Sequence, residues 1–454
     1  MNGALTVAQG LSGKLRGGGG LNRRRLCACA AILLCLELAG LAFCVAGTHG
    51  WIVPLKRPVS TDFVSFYAAG RLADEGTPAL VYQPTAHHAA EQAATEPGIA
   101  YNFFYYPPVF ILLCAIFARL PYLAAFMAFQ AATLLPCLLV ARRILSESGW
   151  ASLLPLLAFP AVFYTIGTGQ NAFLTAALFG AATLLVDGRP VLAGMLFGAL
   201  CYKPHFGLLV PVALAAGGRW KCFAAAAMTA AALIGVSVLT FGLGTWRAFF
   251  AAAAGAHRIY ETSISHAGMA TPFGVVLLLG GSPALACELQ AIAALAMISA
   301  VGLVWRRGQS LPIRAAVLAA ATPIALPVVL FYDLMLSGIA LAWLVRWGQQ
   351  HGFPAWSRTT IATLYGATLL SGNFDPHSHM MITPLIAAGT VVLALLAAAA
   401  EVRQQRINSP SVPISGRFAP VLRRVLDAHL RHARGEREDS PPAVVLDQLG
   451  SAQP

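Results

Sequence analysis

The chain has 454 residues, of which 58% are hydrophobic and 11% charged, with a mean hydropathy of +0.70. A soluble chain carries about a quarter charged residues, so a soluble globular protein is excluded, and repeated apolar runs of roughly 14 to 25 residues predict membrane helices rather than a barrel. The formal net charge of +12 does not mark a nucleic-acid binder, because the basic residues gather at the ends of the hydrophobic runs, as they do in cytoplasmic loops.

In chain order, residues 1–25 are Gly-rich and basic, which predicts a disordered cytoplasmic N-terminus. Arg23-Arg24-Arg25 precede an apolar run over 26–46 that is too long for the core of a cleaved signal and lacks a small-x-small site, so it reads as an uncleaved anchor. A polar segment of about 60 residues follows, longer than an ordinary connection and therefore a functional one. Within it Phe63, Phe66, Tyr67 and Leu72 share a helical face and 84–94 is Ala-rich and polar, so two juxtamembrane helices are expected.

The stretch 107–143 admits two threadings. Either 107–120 crosses and 122–141 crosses back, or 107–120 stays at the surface and only 122–141 crosses. Fourteen residues rise only about 21 Å, short of the roughly 30 Å hydrocarbon core. The second threading also puts Arg142-Arg143 and Arg189 inside, as the charge rule prefers. It places Gln170-Asn171 and Lys203 on the same side as Asp62 and requires a break after Lys203. The first merges 191–216 into one helix and buries Lys203 in mid-bilayer.

Further spans are expected at 150–166, 170–187, 190–203, 204–217, 222–242, 283–305, 312–331, 334–347, 359–372 and 380–399, with 244–282 as a second outer loop. The total is about twelve spans with both termini cytoplasmic. The membrane domain is expected over 26–400 and a mobile cytoplasmic tail over 401–454, within which 418–432 has the pattern of a basic amphipathic helix. The nine cysteines lie in or beside hydrophobic runs and read as buried, inert thiols.

The candidate chemistry collects on one side of this topology. Asp62 is open to two readings, a helix-capping residue or a catalytic carboxylate. Arg71 has Asp62, Asp74 and Glu75 as possible partners. Tyr105 and Tyr106 precede Pro107-Pro108 and read as an interfacial aromatic belt or as lipid-facing substrate contacts. Gln170-Asn171 reads as a helix-start pair or as amides for sugar hydroxyls. Lys203, followed by Pro204 and His205 inside an apolar run, needs an anionic partner, and a lipid phosphate fits. Asp333, after Tyr332, reads as a second acid, a sugar-binding group or a hairpin marker. Asp375-Pro376-His377-Ser378-His379 suggests a metal site but reads better as a turn. No nucleotide motif is present and no metal or other cofactor is expected.

This order of residues resembles the polytopic GT-C glycosyltransferases of family 87. The features are an aspartate in the first outer loop, an aromatic-Pro-Pro entry, Gly169-Gln170-Asn171 between spans, and the small-residue helix Ala193 to Gly198 leading to Lys203-Pro204. The similarity runs over about 60–345. It implies an all-α GT-C fold in a bacterial inner membrane, with an extracytoplasmic site, a polyprenyl-phosphate donor (usually of mannose or arabinose) and a lipid or glycan acceptor. By the resemblance Asp62 is the base and Lys203 binds the donor phosphate, with Arg71, Tyr105, Tyr106, Gln170, Asn171, His205, Tyr332 and Asp333 around the substrates. The competing readings are a lipid or solute transporter, which requires charged or broken helices at the midplane, and a non-catalytic component of polysaccharide assembly.

Overall fold

The computed structural model describes residues 23–46, 52–53, 57–58, 61–146, 153–262, 266–371 and 381–408. The N-terminal 1–22, the Asp375 to His379 motif and the tail from 409, with its expected amphipathic helix, lie outside the described residues. Apart from two paired two-residue strands, β1 (Ile52–Val53) and β2 (Arg57–Pro58), the described regular structure is helical. The N-terminal part contains α1 (Arg23–Ala46), α2 (Thr61–Asp74), α3 (Pro84–Ala94), α4 (Pro108–Ala118), α5 (Tyr122–Leu145) and a short α6 (Leu153–Leu157). The middle contains α7 (Pro160–Thr168), α8 (Ala172–Leu185), α9 (Pro190–Ala199), α10 (Val210–Ala216) and α11 (Trp220–Thr262). The remainder is α12 (Pro272–Leu278), α13 (Pro283–Arg306), α14 (Leu311–Ala325), α15 (Met335–His351), α16 (Ser357–Ala367) and α17 (Ile382–Asn408). Six of these helices, α3, α4, α7, α9, α12 and α13, start on a proline, whose missing N–H would have no intrahelical partner there.

Five helices, α1, α5, α11, α13 and α17, are long and apolar enough to cross a membrane, and shorter apolar helices pack among them. The protein is an all-helical polytopic membrane protein. The expected span over 150–166 is divided into α6 and α7, whereas the break expected after Lys203 is present as two 3-10 turns that separate α9 from α10. The expected span 222–242 does not end there. It kinks at Gly242 (φ 78°, ψ 162°), a conformation open to glycine, and runs on as α11 through much of the expected second loop. The thiols are also less uniform than expected: Cys114, Cys137 and Cys222 are buried, whereas Cys29, Cys35 and Cys287 are exposed.

The bundle has two polar ends. From Asn171, α8 runs to Asp187, whose carboxylate holds Arg219 and Arg314 at 2.6 Å each. From Asp333, α15 runs to Arg346, whose guanidinium donates to the carbonyls of Arg143 and Ile144 at the end of α5. Trp343 Nε1 donates to Thr183 Oγ1 and ties the two helices together between these ends. Arg142-Arg143 thus lie at the end opposite Asn171 and Asp333, the arrangement required by the second threading. Close packing supports the bundle where glycines face backbone. A Cβ on Gly194 or Gly198 would lie 2.3–2.4 Å from the carbonyls of Cys222 and Ala226, so α9 and α11 touch along a small-residue seam.

Candidate active site

The polar residues at the other end form one connected group. Asp62 lies in the first turn of α2, where the helix N-terminus favours a carboxylate, and its Oδ2 accepts a 3.0 Å hydrogen bond from Gln170 Nε2. Gln170 reaches it because Gly169 ends α7 in the left-handed conformation (φ 69°) and the N–H groups of Gly169 and Gln170 bond back to Ile166 and Thr165. The orientation of the Gln170 amide follows from its neighbours. Its Oε1 accepts from the Tyr106 hydroxyl at 3.3 Å and from the Asn171 N–H at 3.2 Å, which leaves the NH₂ group for the carboxylate. Asn171 stands at the start of α8, yet its side chain makes no capping bond. Its Oδ1 accepts from Lys203 Nζ at 3.4 Å instead.

Lys203 sits where a helix has come apart. After α9 the chain makes a 3-10 turn over Leu200–Tyr202, and Pro204 disfavours helical geometry at Lys203, which adopts φ −134°, ψ 66°. Its Nζ donates to Asp333 Oδ1 at 2.7 Å, with the two side chains only 6% and 5% exposed. The ring faces of Phe206 and Tyr332 lie 4.6 and 5.7 Å from the ammonium. Asp333 Oδ2 accepts from the Leu330 N–H at 3.4 Å in the 3-10 turn that opens α15. The partner expected for Lys203 was a lipid phosphate, but the chain supplies an anion itself. Asp333 is accordingly more than a turn marker.

A comparison with known families decides what the chain is. The family model of glycosyltransferase family 87 matches residues 104–332, which is 229 of the 454 residues. The chain belongs to glycosyltransferase family 87. No curated protein and no solved structure matches the sequence. Membership makes the protein a glycosyltransferase, and the transporter reading gives way to it. The matched region contains Tyr106, Gln170, Asn171, Lys203 and Tyr332, whereas Asp62 and Asp333 fall outside it although both are bonded to residues within it.

Not every expected site residue of this family 87 protein joins the group. Arg71 lies nine residues beyond Asp62, about 13 Å along α2. It pairs with Glu75 at 3.4 Å, both half-exposed. His205 occupies the 3-10 turn after Lys203 with its ring against Phe206 and is exposed. Tyr105 is half-buried and stacks on Phe103. Tyr332 faces the Lys203 ammonium with its ring. Among the described residues no cluster of three metal-ligating side chains occurs. Sequence reasoning missed Gln130, whose Nε2 donates to the Gln170 carbonyl at 3.4 Å, and Tyr202, whose hydroxyl bonds Thr175 Oγ1 at 2.6 Å and lies 3.5 Å from the Asn171 carbonyl. A glutamine in the middle of an apolar span was the available signal for Gln130.

Proposed function

We propose that the protein moves a sugar, mannose being the expected one, from a polyprenyl-phosphate donor to a hydroxyl of a lipid or glycan acceptor at the extracytoplasmic face of a bacterial membrane, with inversion at the anomeric carbon. The observation that carries this reading is the bonded series Asp62, Gln170, Asn171, Lys203 and Asp333, which joins a half-buried carboxylate to a buried ammonium. In the proposed step the acceptor oxygen forms a bond to the anomeric carbon while the bond from that carbon to the phosphate oxygen breaks. The hydroxyl proton passes to Asp62 and the electron pair leaves with the lipid phosphate. Gln170 holds the carboxylate through a hydrogen bond to Oδ2. Lys203 has three N–H donors, of which Asp333 and Asn171 take two, so one is left for the phosphate as its charge develops. A phosphate leaving group needs little protonation, so a single carboxylate suffices, in contrast to glycoside hydrolysis.

The test is to incubate purified protein in detergent with radiolabelled polyprenyl-phosphate mannose and a panel of lipid and glycan acceptors, comparing the native chain with Asp62→Asn. Label transfer that disappears in the variant, with its thermal unfolding unaltered, is the expected result. Equal transfer by both proteins refutes the assignment of Asp62 as base.

A further inference from the structure

The base-bearing helix is held by a second pair of titratable groups that the proposed reaction does not use. On α3, His87 and Glu91 stand one turn apart with fully buried side chains, and His87 Nδ1 lies 3.7 Å from Glu91 Oε1. Neither of these two atoms has a hydrogen-bond partner. Their other ends do. His87 Nε2 lies 3.0 Å from the carbonyl oxygen of Ser65, one turn along α2 from Asp62, and Glu91 Oε2 accepts from the Asn102 N–H at 3.1 Å. Ser65 Oγ completes the triangle by donating to the Phe103 carbonyl at 3.3 Å. The pair therefore ties α2 to the extended segment that leads into Tyr106.

The proton count follows from these contacts. A carbonyl only accepts, so His87 Nε2 must carry hydrogen, and in neutral imidazole Nδ1 then bears a lone pair. Facing it, Glu91 Oε1 completes the contact only if a proton lies between them. Burial pushes the Glu91 carboxyl up to about 8, with the Asn102 N–H acting against this and the Asp62 charge adding to it. Burial likewise pushes His87 down to about 4, with the Ser65 carbonyl opposing and His88 adding to the fall. Among the described residues, Asp62, His88, Tyr101 and Tyr122 are the ionisable groups that face the pair. We propose that a single proton held between Glu91 and His87 positions Asp62: it fixes α2 through Ser65 and keeps a second negative charge away from the base. Glu91 and His87 are positioning residues, and the inference rests on Asp62 being that base. Loss of the proton turns Glu91 into an anion that faces the His87 lone pair and repels Asp62.

The experiment compares native protein with Glu91→Gln and Glu91→Ala across pH 5 to 9.5, reading both thermal midpoint in detergent and transfer kinetics. Glutamine reproduces the protonated acid, accepting from Asn102 and donating to His87. A carboxyl raised in the folded state costs nothing below its usual value of 4.5, and the cost grows until about pH 8. The thermal midpoint of Glu91→Gln is therefore expected to gain steadily on the native protein as pH rises through that window. The alkaline limb of its kcat should move up by about one pH unit or more with KM unmoved. Glu91→Ala is expected to lose turnover about tenfold and to regain none at any pH. A constant midpoint difference between native and Glu91→Gln overturns the proton placement. A folded Glu91→Gln without activity shows that Glu91 acts as an anion and overturns it as well. Retained activity in Asp62→Asn sinks the base assignment alone, since the midpoint series still decides where the proton lies.

Discussion

The buried pair of Lys203 and Asp333 supports a prediction with a sign and an asymmetry. At 2.7 Å and about 5% exposure the two charges are almost fully desolvated, so each depends on the other. Lys203→Met leaves the Asp333 carboxylate with only the 3.4 Å bond from the Leu330 N–H. Removing one partner of a buried pair costs about 3–5 kcal/mol, and little here offsets that. Asp333→Asn leaves Lys203 with Asn171 Oδ1 and the faces of Phe206 and Tyr332, contacts of a kind that offset up to about 2 kcal/mol for a desolvated cation. The second substitution should therefore cost about 1–3 kcal/mol, less than the first. The double variant Lys203→Met with Asp333→Leu removes both charges and should recover most of the loss caused by Lys203→Met, ending within about 1–2 kcal/mol of the native chain. The assay is reversible unfolding in mixed micelles, followed by tryptophan fluorescence, on all four proteins. If Lys203→Met falls within about 1 kcal/mol of the native chain, the pair is not desolvated as described. If Asp333→Asn is the more damaging, the aromatic faces do not hold the ammonium. A stable double variant also isolates the role proposed for Lys203 in transfer, since any lost turnover then has no structural cause.

Two further outcomes are expected. Gln170→Leu removes the donor that holds Asp62 Oδ2 at 3.0 Å and should lower kcat by about 10- to 100-fold with a smaller change in KM, measured in the same transfer assay. Gly198→Val places side-chain atoms where a Cβ alone already meets the Ala226 carbonyl at 2.4 Å, so α9 and α11 must separate. The expected loss is about 1–3 kcal/mol in unfolding free energy, whereas Gly167→Ala, at a glycine where a Cβ meets nothing within 4 Å, should be close to neutral.

How much of this was readable in the sequence depends on the range of each interaction. Hydropathy and charge are properties of short windows, and they place α1, α5, α13 and α17 close to their observed positions. Pre-proline geometry is also local, which is why the break at Lys203 could be foreseen from Lys203-Pro204. Asp62, by contrast, was a capping residue or a base on local grounds, and only the resemblance favoured the second. The Lys203 to Asp333 bond spans 130 residues, and nothing near either residue announces the other. An unpaired cation next to a proline calls for an anion without saying whether the anion is ligand or protein. The buried pair of His87 and Glu91 was hidden for a different reason. In the Ala-rich, polar stretch expected to form a juxtamembrane helix, a histidine and a glutamate give no local sign of burial, and only the packing of α2 and the 99–106 segment over α3 makes them buried.

The mismatch in span lengths and the location of the site have a common cause. In lipid, a backbone break or a charge is tolerated only where other protein groups satisfy it, so breaks and charges are driven to the same place. Four such places coincide here: the first turn of α2 with Asp62, the gap between α7 and α8 with Gln170-Asn171, the break after α9 with Lys203, and the turn opening α15 with Asp333. Helices α7, α8, α9 and α15 end or begin beside this group, whose residues are bonded to one another there. The shortfall in α8, α9 and α10 against the roughly 20 residues of an ordinary span is therefore a signature of the site itself. A polar group at the end of an undersized apolar helix is more informative about function in such a chain than the same group in a long loop, because in the membrane it has had to find its partners.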